Sequence, residues 1–255
     1  MKKYNFDQVI DRTNTSSFKW DNVTYPASGM LPMPVADMEF PVADEILATL
    51  NRITEHAVLG YAIVPESLKV AMQAKISRDY GWDTSLDWQV WIPGIVPGIA
   101  AACAAFTTPA DGILTAVPVY HPFHLVAGWV DRPFITFPMV QEGNRWTYDF
   151  EAFELALKNG PKVFLFCNPH NPGGTVFNAH EIERIRTLCA QYDCLIVSDE
   201  IHADLQMSSQ TKHQCIASDV NFFATSKAYN TAGLGGAVAI IPDKNIRDAF
   251  TKKTF

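Results

Sequence analysis

The chain has 255 residues, 48% hydrophobic and 18% charged: enough apolar side chain to bury a real core in one large domain or one and a half, and too few charges for a disordered chain. Its formal net charge of -7 lacks the basic excess that nucleic-acid binders carry, so no nucleic-acid partner is expected, although a local site can still take an anionic small molecule. The five cysteines form no CxxC pair and are expected as small buried hydrophobes in a reducing compartment.

Met1, Lys2 and Lys3 precede no apolar stretch, so no signal peptide is expected. Residues 1–45 are rich in turn formers and weak in periodicity, and read as an arm or part of a small domain. A helical pattern opens at Ala43-Asp44-Glu45-Ile46-Leu47, and another at Ser67, with Leu68, Val70, Ala71, Met72 and Ile76 leading towards Gly81. From residue 88 onward, short apolar runs alternate with helical patterns. Strands are expected over residues 89–92, 112–117, 134–137, 162–167, 194–198, 220–224 and 237–241, and helices over 99–106, 150–158 and 180–192. The uncharged run 90–106 contains Pro93, Gly94, Pro97 and Gly98, so it reads as strand, tight loop and buried helix; no membrane span is expected. Continuous apolar strands alternating with helices point to an α/β fold with a mostly parallel central sheet covered on both faces.

In open sheets of this kind, ligands bind beyond the carboxyl ends of the strands. The residues there are Pro93-Gly94-Ile95-Val96-Pro97-Gly98, Pro118-Val119-Tyr120, Asn168-Pro169-His170-Asn171-Pro172-Gly173-Gly174, Asp199-Glu200-Ile201-His202 and Ala224-Thr225-Ser226-Lys227. They supply a backbone loop at a helix start, an aromatic ring, an amide, a carboxylate with an imidazole, and a lysine. Pyridoxal 5'-phosphate uses all five. Its aldehyde needs a lysine amine, its pyridine nitrogen a carboxylate, and its phenolic oxygen a hydrogen-bond donor. Its phosphate suits a helix N-terminus and its ring face an aromatic neighbour.

The order Tyr120, Asn171-Pro172-Gly173-Gly174, Asp199-Glu200-Ile201-His202, Ser226-Lys227 resembles fold-type I pyridoxal-phosphate enzymes, the aspartate aminotransferase superfamily. Val35-Ala36-Asp37-Met38-Glu39-Phe40, Gly60-Tyr61, the Pro93 and Asn168 motifs and Ser226-Lys227-Ala228-Tyr229-Asn230 are similar to the MalY/PatB group of carbon–sulfur β-lyases, which includes cystathionine β-lyases. The resemblance runs along nearly the whole chain. It implies that Lys227 holds the cofactor and removes the Cα proton, that Asp199 keeps the pyridine nitrogen protonated, and that Tyr120 stacks on the ring. It further implies that Gly94, Ile95 and Val96 receive the phosphate, that Asn171 meets the phenolic oxygen, and that His202 and Ser226 complete the cofactor contacts. Tyr61 is similar to the tyrosine that reaches the phosphate of a neighbouring subunit, which implies a homodimer with shared sites. The implied reaction is β-elimination on cystathionine or related cysteine S-conjugates, giving a thiol, pyruvate and ammonia, in a soluble cytoplasmic enzyme.

The pattern departs from that group twice. The spacing from His213 to Lys227 is shorter than usual. The sequence stops at Phe255, where the group continues into a C-terminal small domain supplying the arginine that grips the substrate carboxylate; that domain is expected to be absent, and no residue here takes the arginine's role. The division expected is therefore 1–45 as arm or part of the small domain and 46–255 as the cofactor-binding large domain. The same residues would serve an aminotransferase, and a cofactor-binding remnant without activity is a further alternative. Asp199, Glu200, His202 and Asp204 also resemble a metal cluster. On a regular strand, however, Asp199 and His202 point to opposite faces, and no metal is expected.

Overall fold

The computed structural model describes residues 4–22, 31–208 and 211–254. The Met1-Lys2-Lys3 start, residues 23–30 of the expected arm, residues 209–210 and Phe255 lie outside the described residues. The chain divides into two compact units, one built from Met1–Tyr61 with Thr225–Leu234, the other from Ala62–Ala224 with Gly235–Phe255.

In the first unit, helix α1 (Asp44–His56) carries Asp44 and Glu45 in its first turn, charges that complement the helix dipole. Asn230 holds the segment before this helix to the turn at 225–234. Its Oδ1 accepts from the Met38 N–H at 2.9 Å, and its Nδ2 donates to the carbonyls of Met38 at 3.2 Å and Phe40 at 2.8 Å. Asn230 adopts φ 55°, a left-handed conformation that asparagine tolerates better than most residues. Arg12 and Lys19 reach the same segment. Arg12 pairs with Asp37 at 2.5 Å and Glu39 at 3.2 Å, and Lys19 with Glu39 at 2.6 Å.

The second unit contains α2 (Glu66–Tyr80), β1 (Gln89–Ile92), α3 (Ile95–Phe106), β2 (Ile113–Val117), α4 (Pro122–Trp129), β3 (Phe134–Glu142), β4 (Arg145–Tyr148) and α5 (Phe150–Leu157). It continues through β5 (Val163–Cys167), α6 (Ala179–Gln191), β6 (Leu195–Asp199), β7 (Val220–Phe223), β8 (Ala237–Ile240) and α7 (Lys244–Thr254). The eight strands form one sheet in the order β1-β8-β7-β6-β5-β2-β3-β4. From β3 to β7 the neighbours run parallel; β8 is antiparallel to both β1 and β7, and β4 to β3.

The central strands β2, β5, β6, β7 and β8 are mostly apolar because both faces are covered. Val163, Leu165 and Cys167 of β5 join Ile113, Val197 and Phe222 in a core beneath α3, α4 and α7. Phe164 and Phe166 point the other way, into a core with Phe153 of α5 and Ile182 and Ile185 of α6. Helix α3 sits unusually close to the sheet. A Cβ on Gly98 would fall 2.4 Å from Ile92 Cδ1 and 2.8 Å from the Phe222 ring, so only glycine fits at this crossing. Helix α6 begins with a capping box in which Asn178 accepts from the Glu181 N–H while Glu181 reaches back to the Asn178 N–H. Among the described residues, no helix is long and apolar enough to cross a membrane.

Candidate cofactor site

Strand alternation decides which side chains the parallel strands deliver at their carboxyl ends. Asp199, the last residue of β6, is two residues beyond Val197 and in register with Cys167 of β5, so it takes the α3 face of the sheet. It is 4% exposed, and one carboxylate oxygen accepts from the Ile201 N–H at 3.0 Å. Tyr120, three residues after β2, packs half-buried against the same core. Its hydroxyl pKa is raised by burial and, next, by the charge of Asp199, which places carboxylate and phenol in one electrostatic neighbourhood. The Cys167 thiol lies between strand end and loop. Burial pushes its pKa far up, the Asp199 charge adds to that, and its sulfur accepts from the Asn171 N–H at 3.3 Å.

The loop after β5 is a built turn. The His170 N–H donates to the Thr175 carbonyl and the Gly174 N–H to the His170 carbonyl, both at 2.8 Å. Gly174 adopts φ 66°, and His170 Nδ1 accepts from the Gly173 N–H at 3.3 Å. Asn171 stands in this loop, whose root is tied to the Asp199 strand: the Asn168 N–H donates to the Asp199 carbonyl at 3.0 Å. On the other side of β6, Gly94 precedes α3 in extended conformation, and no side chain caps the helix start. The first-turn N–H groups there, including those of Ile95 and Val96, have no intrahelical acceptor. His202 lies in the turn after β6, where its carbonyl accepts from the Leu205 N–H at 2.9 Å. The neighbouring carboxylates are engaged elsewhere: Glu200 with Asn168, Ser198 and His213, and Asp204 with Lys75 and Tyr80.

Gly94, Ile95, Val96, Tyr120, Asn171, Asp199 and His202 thus share the carboxyl edge of one sheet. Ser226, Lys227 and Tyr61 belong to the first unit. Lys227 is half-buried in a turn closed by the Thr231 N–H donating to the Ser226 carbonyl at 3.1 Å and by the Thr225–Thr231 hydroxyl pair at 3.1 Å. Tyr61 is fully exposed. Sequence reasoning missed the partners of Glu200. The signal was present: on strand alternation a residue adjoining Asp199 turns to the opposite face, where an unpaired carboxylate would be untenable.

The family described as aminotransferase class I and II matches residues 27–253. The chain belongs to this family. Among aminotransferase class I and II relatives, it is 33% identical over 97% of its length to cystathionine β-lyase PatB of Bacillus subtilis (strain 168), and 31% identical over 90% of its length to cystathionine β-lyase of Corynebacterium glutamicum. It spans 66% and 61% of those relatives' own lengths. The crystal structure of cystalysin from Treponema denticola, described as containing a pyridoxal 5'-phosphate cofactor, superposes with a TM-score of 0.93 at 32% identity, covering 99% of this chain and 67% of that one.

Proposed function

We propose that this chain binds pyridoxal 5'-phosphate through Lys227 and acts as a carbon–sulfur β-lyase on cystathionine or related cysteine S-conjugates. The observation that carries the cofactor is the composition of the sheet's carboxyl edge. A nearly buried carboxylate, Asp199, lies on the same face as the Tyr120 ring, the face that α3 covers, and the start of α3 is left uncapped by any side chain. That donor set fits a cationic pyridine nitrogen, an aromatic ring and a phosphate. The lyase activity is supported by the relatives whose names record it.

When bound, the cofactor supplies an electron-withdrawing ring that stabilises negative charge at the substrate's Cα. Asp199 holds the proton on the ring nitrogen, which low exposure strengthens because the charge pair is poorly screened. The N–H groups of Ile95 and Val96, with Gly94 allowing approach, bind the phosphate. Asn171 donates to the phenolic oxygen, Tyr120 covers one ring face, and His202 and Ser226 complete the contacts. Lys227 would hold the cofactor through its Nζ and, as a free amine, would take the Cα proton. With the thiolate leaving from Cβ, water would hydrolyse the remaining enamine to pyruvate and ammonia. Tyr61, wholly exposed, is free to meet the phosphate held by a second copy, which supports reading the functional form as a homodimer, and we read the enzyme as cytoplasmic.

The test is incubation of the cofactor-loaded chain with cystathionine. Pyruvate and homocysteine should form in equal amounts, and Lys227→Ala should form neither. An oxo acid that keeps its sulfur substituent would instead assign the chain to transamination.

A further inference from the structure

Glu200 adjoins Asp199 in sequence but turns away from it into the unit's interior, where its side chain is 0% exposed. Burying a carboxylate is costly, and an apolar side chain of similar volume is often at least as stabilising. Yet this one is surrounded by donors from separate stretches of chain. Ser198 Oγ on β6 donates to Oε1 at 2.7 Å, and Asn168 Nδ2 donates to both oxygens at 3.2 Å. His213 Nε2 lies 2.5 Å from Oε2, and the Ile216 N–H donates to Oε1 at 3.4 Å. Asn168 also donates to the Gln214 carbonyl at 2.9 Å, and the Glu200 N–H donates to the Phe222 carbonyl of β7 at 2.9 Å. One carboxylate therefore joins the root of the Asn171 loop, the end of the Asp199 strand and the 213–216 segment.

His213 completes the arrangement. Its ring lies edge-on to Tyr80 at 5.4 Å, and its Nδ1 is buried without a hydrogen-bond partner among the described residues. A proton on Nδ1 would be a buried donor with no acceptor, so the geometry favours the tautomer that donates from Nε2 to Glu200. The ring is pinned in turn from α2. The Tyr80 hydroxyl bonds Asp204, which also pairs with Lys75 at 2.5 Å.

We propose that Glu200 is a positioning residue: its buried carboxylate sets the placement of Asn171 and Asp199 relative to each other. Its consequence for ligand binding rests on the cofactor reading above; the mechanical tie does not. Glu200→Gln keeps the volume but brings an NH2 group where every neighbour is a donor, so the tie loosens. The control is Ile185→Val, a core change on α6 that leaves every hydrogen bond to Glu200 in place. Amide hydrogen exchange of the chain without cofactor reads the tie directly. In Glu200→Gln, exchange at residues 168–174 and at Ile216 should rise by about tenfold or more, while β2 stays protected and Ile185→Val shows no such local rise. The dissociation constant for pyridoxal 5'-phosphate should rise by about tenfold or more in Glu200→Gln and remain near the parental value in the control. Unchanged exchange in Glu200→Gln, or an equal rise in the control, would overturn the proposal. The exchange rise in Glu200→Gln together with a parental chain that binds no pyridoxal 5'-phosphate would uphold the tie and sink the cofactor reading.

Discussion

Acidification should weaken the larger unit through His170. The residue is 3% exposed, with its ring edge-on to Tyr148 at 6.4 Å and Phe177 at 6.5 Å, and its Nε2 has no hydrogen-bond partner among the described residues. Burial lowers its pKa from the ordinary 6.5 to about 4. As pH falls, the unfolded chain therefore takes up the proton first. The stability contributed by neutral His170 is complete above pH 6.5 and is lost between 6.5 and about 4. At about pH 4.5 the linkage integral for this one group amounts to roughly 2–3 kcal/mol. His170→Asn retains an acceptor for the Gly173 N–H but cannot titrate in this range. It should be less stable at neutral pH, because the ring leaves a cavity beside Tyr148 and Phe177. Urea unfolding followed by tryptophan fluorescence, at about pH 7 and about pH 4.5, measures both proteins, and the difference cancels the carboxylates they share. The parent should lose roughly 2–3 kcal/mol more than the variant over that interval. Equal losses would show that His170 is protonated in the folded chain or shielded by a partner, and the reasoning from burial would fail.

Gly98→Ala should cost about 1–3 kcal/mol, read as a lowered urea midpoint, because the new methyl group must displace Ile92 or the Phe222 ring or lift α3. Asn178→Ala should cost about 1 kcal/mol by removing the α6 cap, with the m-value unchanged. Asn230→Gly should keep the left-handed backbone but lose the bonds to Met38 and Phe40, and should speed proteolysis within residues 35–42. Asp199→Asn should retain pyridoxal 5'-phosphate while lowering pyruvate release by about a hundredfold or more, since an amide stabilises a ring cation far less than a carboxylate does.

The sheet was legible where strands are uniformly apolar. β1 matches its expected span, and β2, β5, β6, β7 and β8 each lie within one residue of theirs, because each is a short, mostly apolar run buried along most of its length. β4 escaped notice: Arg145-Trp146-Thr147-Tyr148 mixes charge with aromatics. The Gly143-Asn144 pair between Glu142 and Arg145, with Gly143 at φ 61°, is the hairpin signal that could have found it. No element is expected from the sequence over α4 or α7: α4 is only eight residues long, and α7 is strongly polar with Phe250 buried, so neither shows a long apolar stripe. The antiparallel β8 was hidden because sequence marks strands but not their direction; among residues 224–236 only a short helical turn at Ala232–Leu234 intervenes, and the chain returns beside β7 without a crossover helix.

The candidate site divides the same way. Asp199, Asn171, Tyr120 and the α3 start could be named because each directly follows an apolar strand. The long-range pairings around them could not: His213 meets Glu200 across thirteen positions, and within the first unit Asn230 meets Met38 across 192. Such pairings follow from the fold and leave no local pattern in the sequence.

The central claim is that Lys227 carries the cofactor. Incubation with pyridoxal 5'-phosphate, reduction with borohydride and peptide mapping would test it directly. A single reduced adduct on Lys227, absent from Lys227→Ala, is the expected result. Label on Lys212, Lys244 or another lysine, or none at all, would contradict it.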